Sequence, residues 1–163
     1  MFEKLNYNFK IADYYIDNFY IGRESYARKF ESEVNDSLQN EECSAMITVE
    51  DIKYYSYQDE SDEDVRDGVK FNFEKVIYDF ENHSNTVSFI IDKFEFKQKK
   101  ENFNNLMNSL IAEDYVPTIR VLMRSCRYPM QILDAMASSI SIEQYDYGRL
   151  KLTFTAFRMD IDI

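Results

Sequence analysis

Apolar and polar positions alternate along most of this chain, and the places where the alternation slips are as informative as the alternation itself. In the last run Leu150, Leu152, Phe154 and Ala156 are separated by Lys151, Thr153 and Thr155, the period-two pattern of a strand with one buried face. After Ala156 the phase flips, so that Phe157, Met159, Ile161 and Ile163 are apolar between Arg158, Asp160 and Asp162. A β-bulge produces a one-residue slip of this kind, and the spacing predicts one long, bent strand after a turn at Asp146-Tyr147-Gly148-Arg149. Val116 to Met123 and Ser139 to Glu143 read as strands as well. Between them, Tyr128-Pro129 to Met136 reads as a link in which Met130, Leu133, Met136 and Ala137 form a short helix or irregular segment.

Upstream, Met46 to Tyr57 reads as a strand with Ile47 and Val49 on one face and Ile52 and Tyr54 on the other, slipping near Glu50-Asp51. Val69 to Phe80 and Thr86 to Lys97 form a hairpin across Glu81-Asn82-His83-Ser84-Asn85. Phe71, Phe73, Phe89 and Ile91 mark its inner face, while Val76, Tyr78, Phe94 and Phe96 imply that the opposite face or the far end is also covered. A helix or a second chain has to supply that cover. Phe103, Leu106, Met107, Leu110 and Ile111 fall at helical spacing and predict a helix over about residues 98–113, stopped before Pro117. Tyr26, Phe30, Val34 and Leu38, four apart between Arg23 and Asn40, predict an earlier amphipathic helix.

At the start, Tyr7, Phe9 and Ile11 alternate and a dense aromatic block with Tyr14 and Tyr15 follows. This is the pattern of a strand or arm and then a helical turn, packed either on a neighbouring subunit or on its own sheet. The class is therefore α+β, an antiparallel sheet or barrel-like core with one packed helix and an N-terminal arm plus helix. The pattern changes near residue 43, dividing an arm-and-helix segment, 1–43, from a β-rich segment, 44–163.

Composition narrows the functions more than the fold. With 163 residues the chain buries roughly 70% of its unfolded surface in one core. Nineteen Lys and Arg against 30 Asp and Glu leave a net charge of −11, which opposes binding to nucleic-acid phosphates. Gly occurs three times and Pro twice, which fits long elements joined by polar loops better than a sandwich of tight hairpins. Cys43 and Cys126 stand far apart with no partners at metal spacing and read as small buried hydrophobes. No apolar run is long enough for a membrane span, and Met1-Phe2-Glu3-Lys4 lacks a secretory pattern.

Candidate chemistry is sparse. The acidic run from Asp59 to Asp67 raises calcium, but an EF-hand loop counted from Asp62 has Asp67 where Gly belongs, Arg66 at a ligand place and Phe73 where the closing Glu belongs. The run therefore reads as a solvated loop. His83, the only histidine, lies in a predicted hairpin loop with no nucleophile in view. There is no Gly-rich phosphate loop, no nucleophile elbow and no zinc-binding helix motif, so the expectation is a non-enzyme without metal or cofactor.

Arg127-Tyr128-Pro129-Met130, then Ser139-Ile140-Ser141-Ile142, then Gly148 through Met159, lie within a segment from roughly Thr118 to Asp160. This segment looks like the C-terminal hairpin of small phage baseplate and hub-associated proteins, and the chain's order of strand, hairpin, strand, helix, strand and closing hairpin resembles the tube-forming fold of phage tails and contractile injection machines. That fold is found in tail-tube, baseplate-hub and distal-tail proteins. The resemblance implies a virion component assembled in the host cytoplasm, forming a ring with copies of itself and with neighbouring tail or baseplate proteins. It also implies that DNA passes through the ring without being specifically bound, repelled by an acidic wall. Apolar terminal segments suit edges completed by neighbours, so the candidate assembly interface is Phe2, Tyr7, Phe9, Tyr14, Tyr15, Phe157, Met159 and Ile161. The alternative is an acidic intracellular adaptor or inhibitor that binds a basic partner.

Overall fold

The computed structural model describes residues 2–11, 20–21, 24–39, 43–50, 68–79, 85–124 and 129–161. Its strands are β1 (Leu5–Asn8), β2 (Tyr20–Ile21), β3 (Ser44–Glu50), β4 (Gly68–Asp79), β5 (Thr86–Asp92), β6 (Thr118–Arg124), β7 (Pro129–Gln144) and β8 (Arg149–Ile161). Two helices join them, α1 (Glu24–Leu38) and α2 (Lys93–Ala112). Strands β3, β4, β5, β8, β7 and β6 follow one another in a ring that is antiparallel throughout, because β7 pairs with β8 as well as with β6. The result is a closed six-stranded barrel in an α+β chain. β1 extends it along β7 in antiparallel fashion, and the two residues of β2 run parallel to the far end of β8.

The inward set follows the alternation read from the sequence. Ile47 stands opposite Phe71 on one side and Val121 on the other, and Phe154 stands opposite Val87 and Ile140. These six side chains are buried. Phe89 stacks on Phe154 with ring centroids 5.5 Å apart, and Phe73 meets Phe89 edge-on at 4.8 Å. Each large side chain fully buried in this way stabilises by roughly 2–3 kcal/mol. A six-stranded barrel is too narrow to leave room once its inward residues are in place, so its interior is packed core and not a pore. The buried side chains of α1 and Phe9 belong to the same cluster as the barrel, so the change of pattern near residue 43 does not divide the core.

Both helices contribute an apolar stripe to that core. On α1 the stripe is Ala27, Phe30 and Val34 with Leu38 partly covered, whereas Tyr26, expected on the stripe, is exposed. α2 begins at Lys93, five residues before its expected start, so Phe94 and Phe96 belong to its first turns and not to a strand face. The reason is a cap: the Asp92 carboxylate accepts from the Glu95 N–H at 3.1 Å, and Glu95 occupies the first turn. At the other end Tyr115 N–H bonds to Leu110 C=O and Asp114 N–H to Ile111 C=O, with Asp114 at φ 56°. That is a Schellman closure with Asp, instead of Gly, in the left-handed position.

Three slips of register explain where the pattern was misread. In β4 the pairing with β5 shifts between Phe73 and Lys75, so Val69, Phe71 and Phe73 before the bulge and Val76 and Tyr78 after it all enter one core. Val76 and Tyr78 therefore do not mark a second apolar face. The segment from Pro129 to Met136, expected as a link or short helix, is the first half of β7, paired with β6 on one edge and, from Leu133, with β8 on the other. In the β7–β8 hairpin, Ala137 stands opposite Ala156 while Phe157 is skipped on one side and Ser138 on the other. The bulge expected at Ala156–Phe157 is thus present, and a second bulge at the same level opposes it. Both Ala156 and Phe157 are buried there.

Candidate functional site

An assembly surface is made from what a single copy leaves unpaired, so the edges come first. β4 has strand partners over half of each edge: β3 along Gly68–Asn72 and β5 along Phe73–Asp79. Helix side chains take the other halves. On α1, Asn35 donates Nδ2 to Val76 C=O and accepts the Val76 N–H, both at 2.9 Å. One turn earlier Glu31 accepts the Tyr78 N–H at 2.5 Å and Arg28 donates to Tyr78 C=O at 3.1 Å. On α2, Glu95 accepts the Asn72 N–H at 2.9 Å and Lys99 donates to Lys70 C=O. Helical neighbours four apart are spaced by about 6 Å, and outward-facing strand residues two apart by nearly 7 Å, so one helix row can stand in for a strand. The two helices thus satisfy what would otherwise be open sheet edge.

Two edges remain. Phe9 N–H donates to Ser138 C=O at 2.9 Å, one step beyond the β1–β7 register that ends at Asn8 and Ser139. Antiparallel alternation then turns the backbone groups of Asn6 and Asn8 away from β7, and no strand lies beyond them among the described residues. β2 is the other terminal strand of the sheet.

The best-anchored exposed feature is the tip of the β7–β8 hairpin. Arg149 donates Nε and Nη2 to the Asp146 carboxylate and Nη1 to Glu74 Oε2, the last at 3.1 Å, which ties the turn to β4. Gly148 N–H donates to Asp146 Oδ1, Gln144 donates to Asp146 C=O, and Lys93 N–H at the head of α2 donates to Gly148 C=O. The hydrogen bonds from Arg149 hold the Asp146 carboxyl below the usual carboxylate range, and those to Asp146 and Glu74 raise the guanidinium. Out of this fixed turn Tyr147 projects with 99% of its surface exposed, beside Tyr145, over whose ring Arg149 sits at 5.3 Å. Phe94, 68% exposed, stands on the first turn of α2 at the same end of the barrel.

Of the residues expected to form an assembly interface, Phe9, Phe157 and Met159 are buried in the core of one copy. Phe2, Tyr7 and Ile161 are partly buried and pack against that core; Phe2 meets Phe96 and Tyr7 meets Phe103, each with centroids 5.7 Å apart. The Tyr7 hydroxyl also donates to Asn104, and burial raises its pKa. The described part of the arm therefore lies on its own sheet and on α2. Tyr14, Tyr15, His83, Cys126 and the Asp59 to Asp67 run lie outside the described residues. Cys43 is a half-buried free thiol beside the core. The exposed aromatics at the tip were missed because Asp-Tyr-Gly-Arg reads only as a turn, and a tyrosine in a turn carries no periodicity.

Two further features lie away from the tip. On the outer face of β3, β6 and β7, Arg120 bridges the buried Glu50 at 2.9 Å and Asp134 at 3.9 Å, stapling three strands. Beside Gly68 and Val69 a groove of about 320 Å³ runs against Asn102, Asn105, Leu106 and Ser109 of α2. Among the described residues no three His, Cys, Asp or Glu side chains are placed to hold a metal ion, and no helix is long and apolar enough to cross a membrane. The chain matches no known family model, no curated protein and no solved structure.

Proposed function

We propose that this protein is a structural, non-enzymatic component of a phage tail or related contractile injection machine, acting in the tube, the baseplate hub or a connector ring. The observation that supports the reading best is the hairpin end. It is a long, doubly bulged ribbon whose tip is fixed by an Arg149 network and presents aromatic side chains to solvent, beside a barrel whose interior is packed with buried apolar residues. Rigid exposed aromatics are the usual anchors of protein–protein contacts. Because the barrel is filled and β4 is covered, copies would meet through the tip, the outer edges of β1 and β2 and the outer faces. A channel would then lie at the centre of a ring of copies, not within one barrel. A ring carrying −11 per copy repels phosphates, which lets DNA pass without adhering. Electron microscopy of the purified protein, with its mass in solution, tests this. Rings or tubes with a central hole are expected, and a channel wall that proves neutral or basic refutes the acidic passage.

One observation favours a second reading, an acidic adaptor or inhibitor of a basic partner: helices of the same copy already shield both open halves of β4. A chain that stays monomeric and forms a stoichiometric complex with a basic protein would establish it.

A further inference from the structure

We infer that the hairpin tip and the first turns of α2 form one docking surface, and that its partner is an acidic, apolar segment of a neighbouring protein. The inference rests on the proposed assembly role for there being such a neighbour, and it narrows that role. The tip belongs to the neighbour, and copies of this chain are left the edges of β1 and β2 and the outer faces.

Two observations carry it. The first is continuity of apolar surface. Lys93 N–H bonds to Gly148 C=O at 3.0 Å, so Phe94, the next residue along α2, stands beside the turn that presents Tyr147. Phe94 and Tyr147 are both open to solvent, with Tyr145 less open beside them. Rigid aromatic side chains of this kind gain most from burial against apolar groups. The second is the local sign of charge. From Lys93 to Lys100, α2 carries four lysines against Glu95 alone, in a chain whose net charge is −11. Lys93, Lys97 and Lys100 are four and three residues apart and share one row of the helix, with Phe94 adjoining Lys97. Lys99 is matched by Glu95, and Arg149 by Asp146 and Glu74, but Lys93, Lys97 and Lys100 make no ion pair among the described residues. Lys93 Nζ donates instead to the neutral amide oxygen of Gln144 at 3.1 Å, which holds its charge at the base of the tip. The Asp92 carboxylate caps the helix, and Glu101 ends the basic stretch.

Such a surface is matched by apolar side chains for the rings and carboxylates for the three lysines. An extended polyanion fits it less well. A nucleic acid or an anionic membrane that reaches the lysines also meets the negative field of the rest of the molecule, whereas a short protein segment lies mostly within a Debye length of the lysines, about 8 Å. The turn is already held by the Arg149 network and loses little freedom on docking.

The test is titration of the isotope-labelled full chain, followed by amide chemical shifts. The probes are a synthetic peptide of alternating Leu-Leu and Asp-Asp pairs, its Lys-for-Asp counterpart, oligothymidylate, and vesicles of phosphatidylserine and phosphatidylcholine. Shifts at Phe94 to Lys97 and Tyr145 to Arg149 are expected with the acidic peptide alone, weakening as salt is raised. Tyr147→Ala is expected to weaken this binding at least about tenfold, and Lys97→Glu with Lys100→Glu to weaken it about tenfold and abolish its salt dependence. All three positions are exposed, so the core is untouched, which unchanged shifts elsewhere in the chain verify. No shift at these amides, or equal binding of the lysine peptide, overturns the acidic partner. Equal binding of oligothymidylate or vesicles overturns a protein segment as the occupant. Shifts of the same amides on concentrating the chain alone assign the tip to a second copy and overturn the inference. Each of these outcomes leaves the ring to be decided by electron microscopy, where a chain that forms no ring refutes the assembly role while the peptide result stands.

Discussion

The side-chain cover of β4 can be tested at one atom pair. Asn35→Ala removes both bonds to Val76, leaving its N–H and C=O facing a helix that no longer offers partners. Each bond contributes about 1 kcal/mol net, so the loss is about 2 kcal/mol. Alanine is the better helix former and returns roughly 0.6 kcal/mol. The expected cost is therefore about 1.5 kcal/mol, a fall in Tm of roughly 3–6 °C for a domain of this size. Urea unfolding monitored by circular dichroism gives the stability, and amide exchange gives the location: Val76 N–H should lose protection while Phe89 N–H, inside the barrel, exchanges only through global unfolding. Ser32→Ala, on the exposed face of the same helix, is the control and should change stability by less than about 0.5 kcal/mol. If Asn35→Ala matches that control and Val76 keeps its protection, the helix does not replace a strand there and the account of the edges is wrong.

Other expectations follow from the same geometry. Asp114→Gly places the residue best suited to the left-handed C′ position and should stabilise by about 0.5–1 kcal/mol, read as a raised urea midpoint. Arg120→Leu removes the Arg120 bridge to the buried Glu50 and should cost about 2–4 kcal/mol, whereas Lys151→Leu on the half-exposed face of β8 should cost far less. Burial raises the Tyr7 pKa, so its neutral hydroxyl contributes stability that is complete below about pH 10 and lost as pH rises through the higher folded value. Tyr7→Phe should flatten that alkaline fall in an unfolding series. The Asp146 pKa is lowered chiefly by the Arg149 hydrogen bond, so the clamp should persist through mild acid and release only as pH falls through the depressed folded value. Quenching of tip tyrosine fluorescence against pH would follow that release.

The fold was legible wherever apolar alternation was local. Ala156 and Phe157 side by side in an alternating run announced a bulge, and the pairing skips Phe157. Phe103, Leu106, Met107 and Leu110 announced α2 and are buried. Legibility failed where two periods coincide. Met130, Leu133 and Met136 are three apart and imitate a helix turn, yet their segment has strand partners on both edges over part of its length. Phe94 and Phe96 alternate like a strand, and only the Asp92-x-x-Glu95 signature, local and readable, gives the helix start. The cover of β4 by Asn35 and Glu31 carried no signal, because polar side chains that bond to a distant backbone look like any solvated helix face. The tip was legible as a turn but not as an aromatic surface.

The two strands that close the barrel come after all its other strands in the sequence, and this order has a consequence for how the chain is made. During synthesis β3 and β4 can pair soon after they emerge, but β5 waits for β8, and β6 for β7. Until the hairpin arrives, the nascent sheet is an open ribbon with two long bare margins, at the concentration of neighbouring ribosomes on the same message. The β5–β8 contacts that help to close it join residues far apart in sequence, such as Thr86 and Thr155, which makes that step slow. A cell making this protein in bulk would therefore gain most from chaperone help in the interval before β7 and β8 are complete.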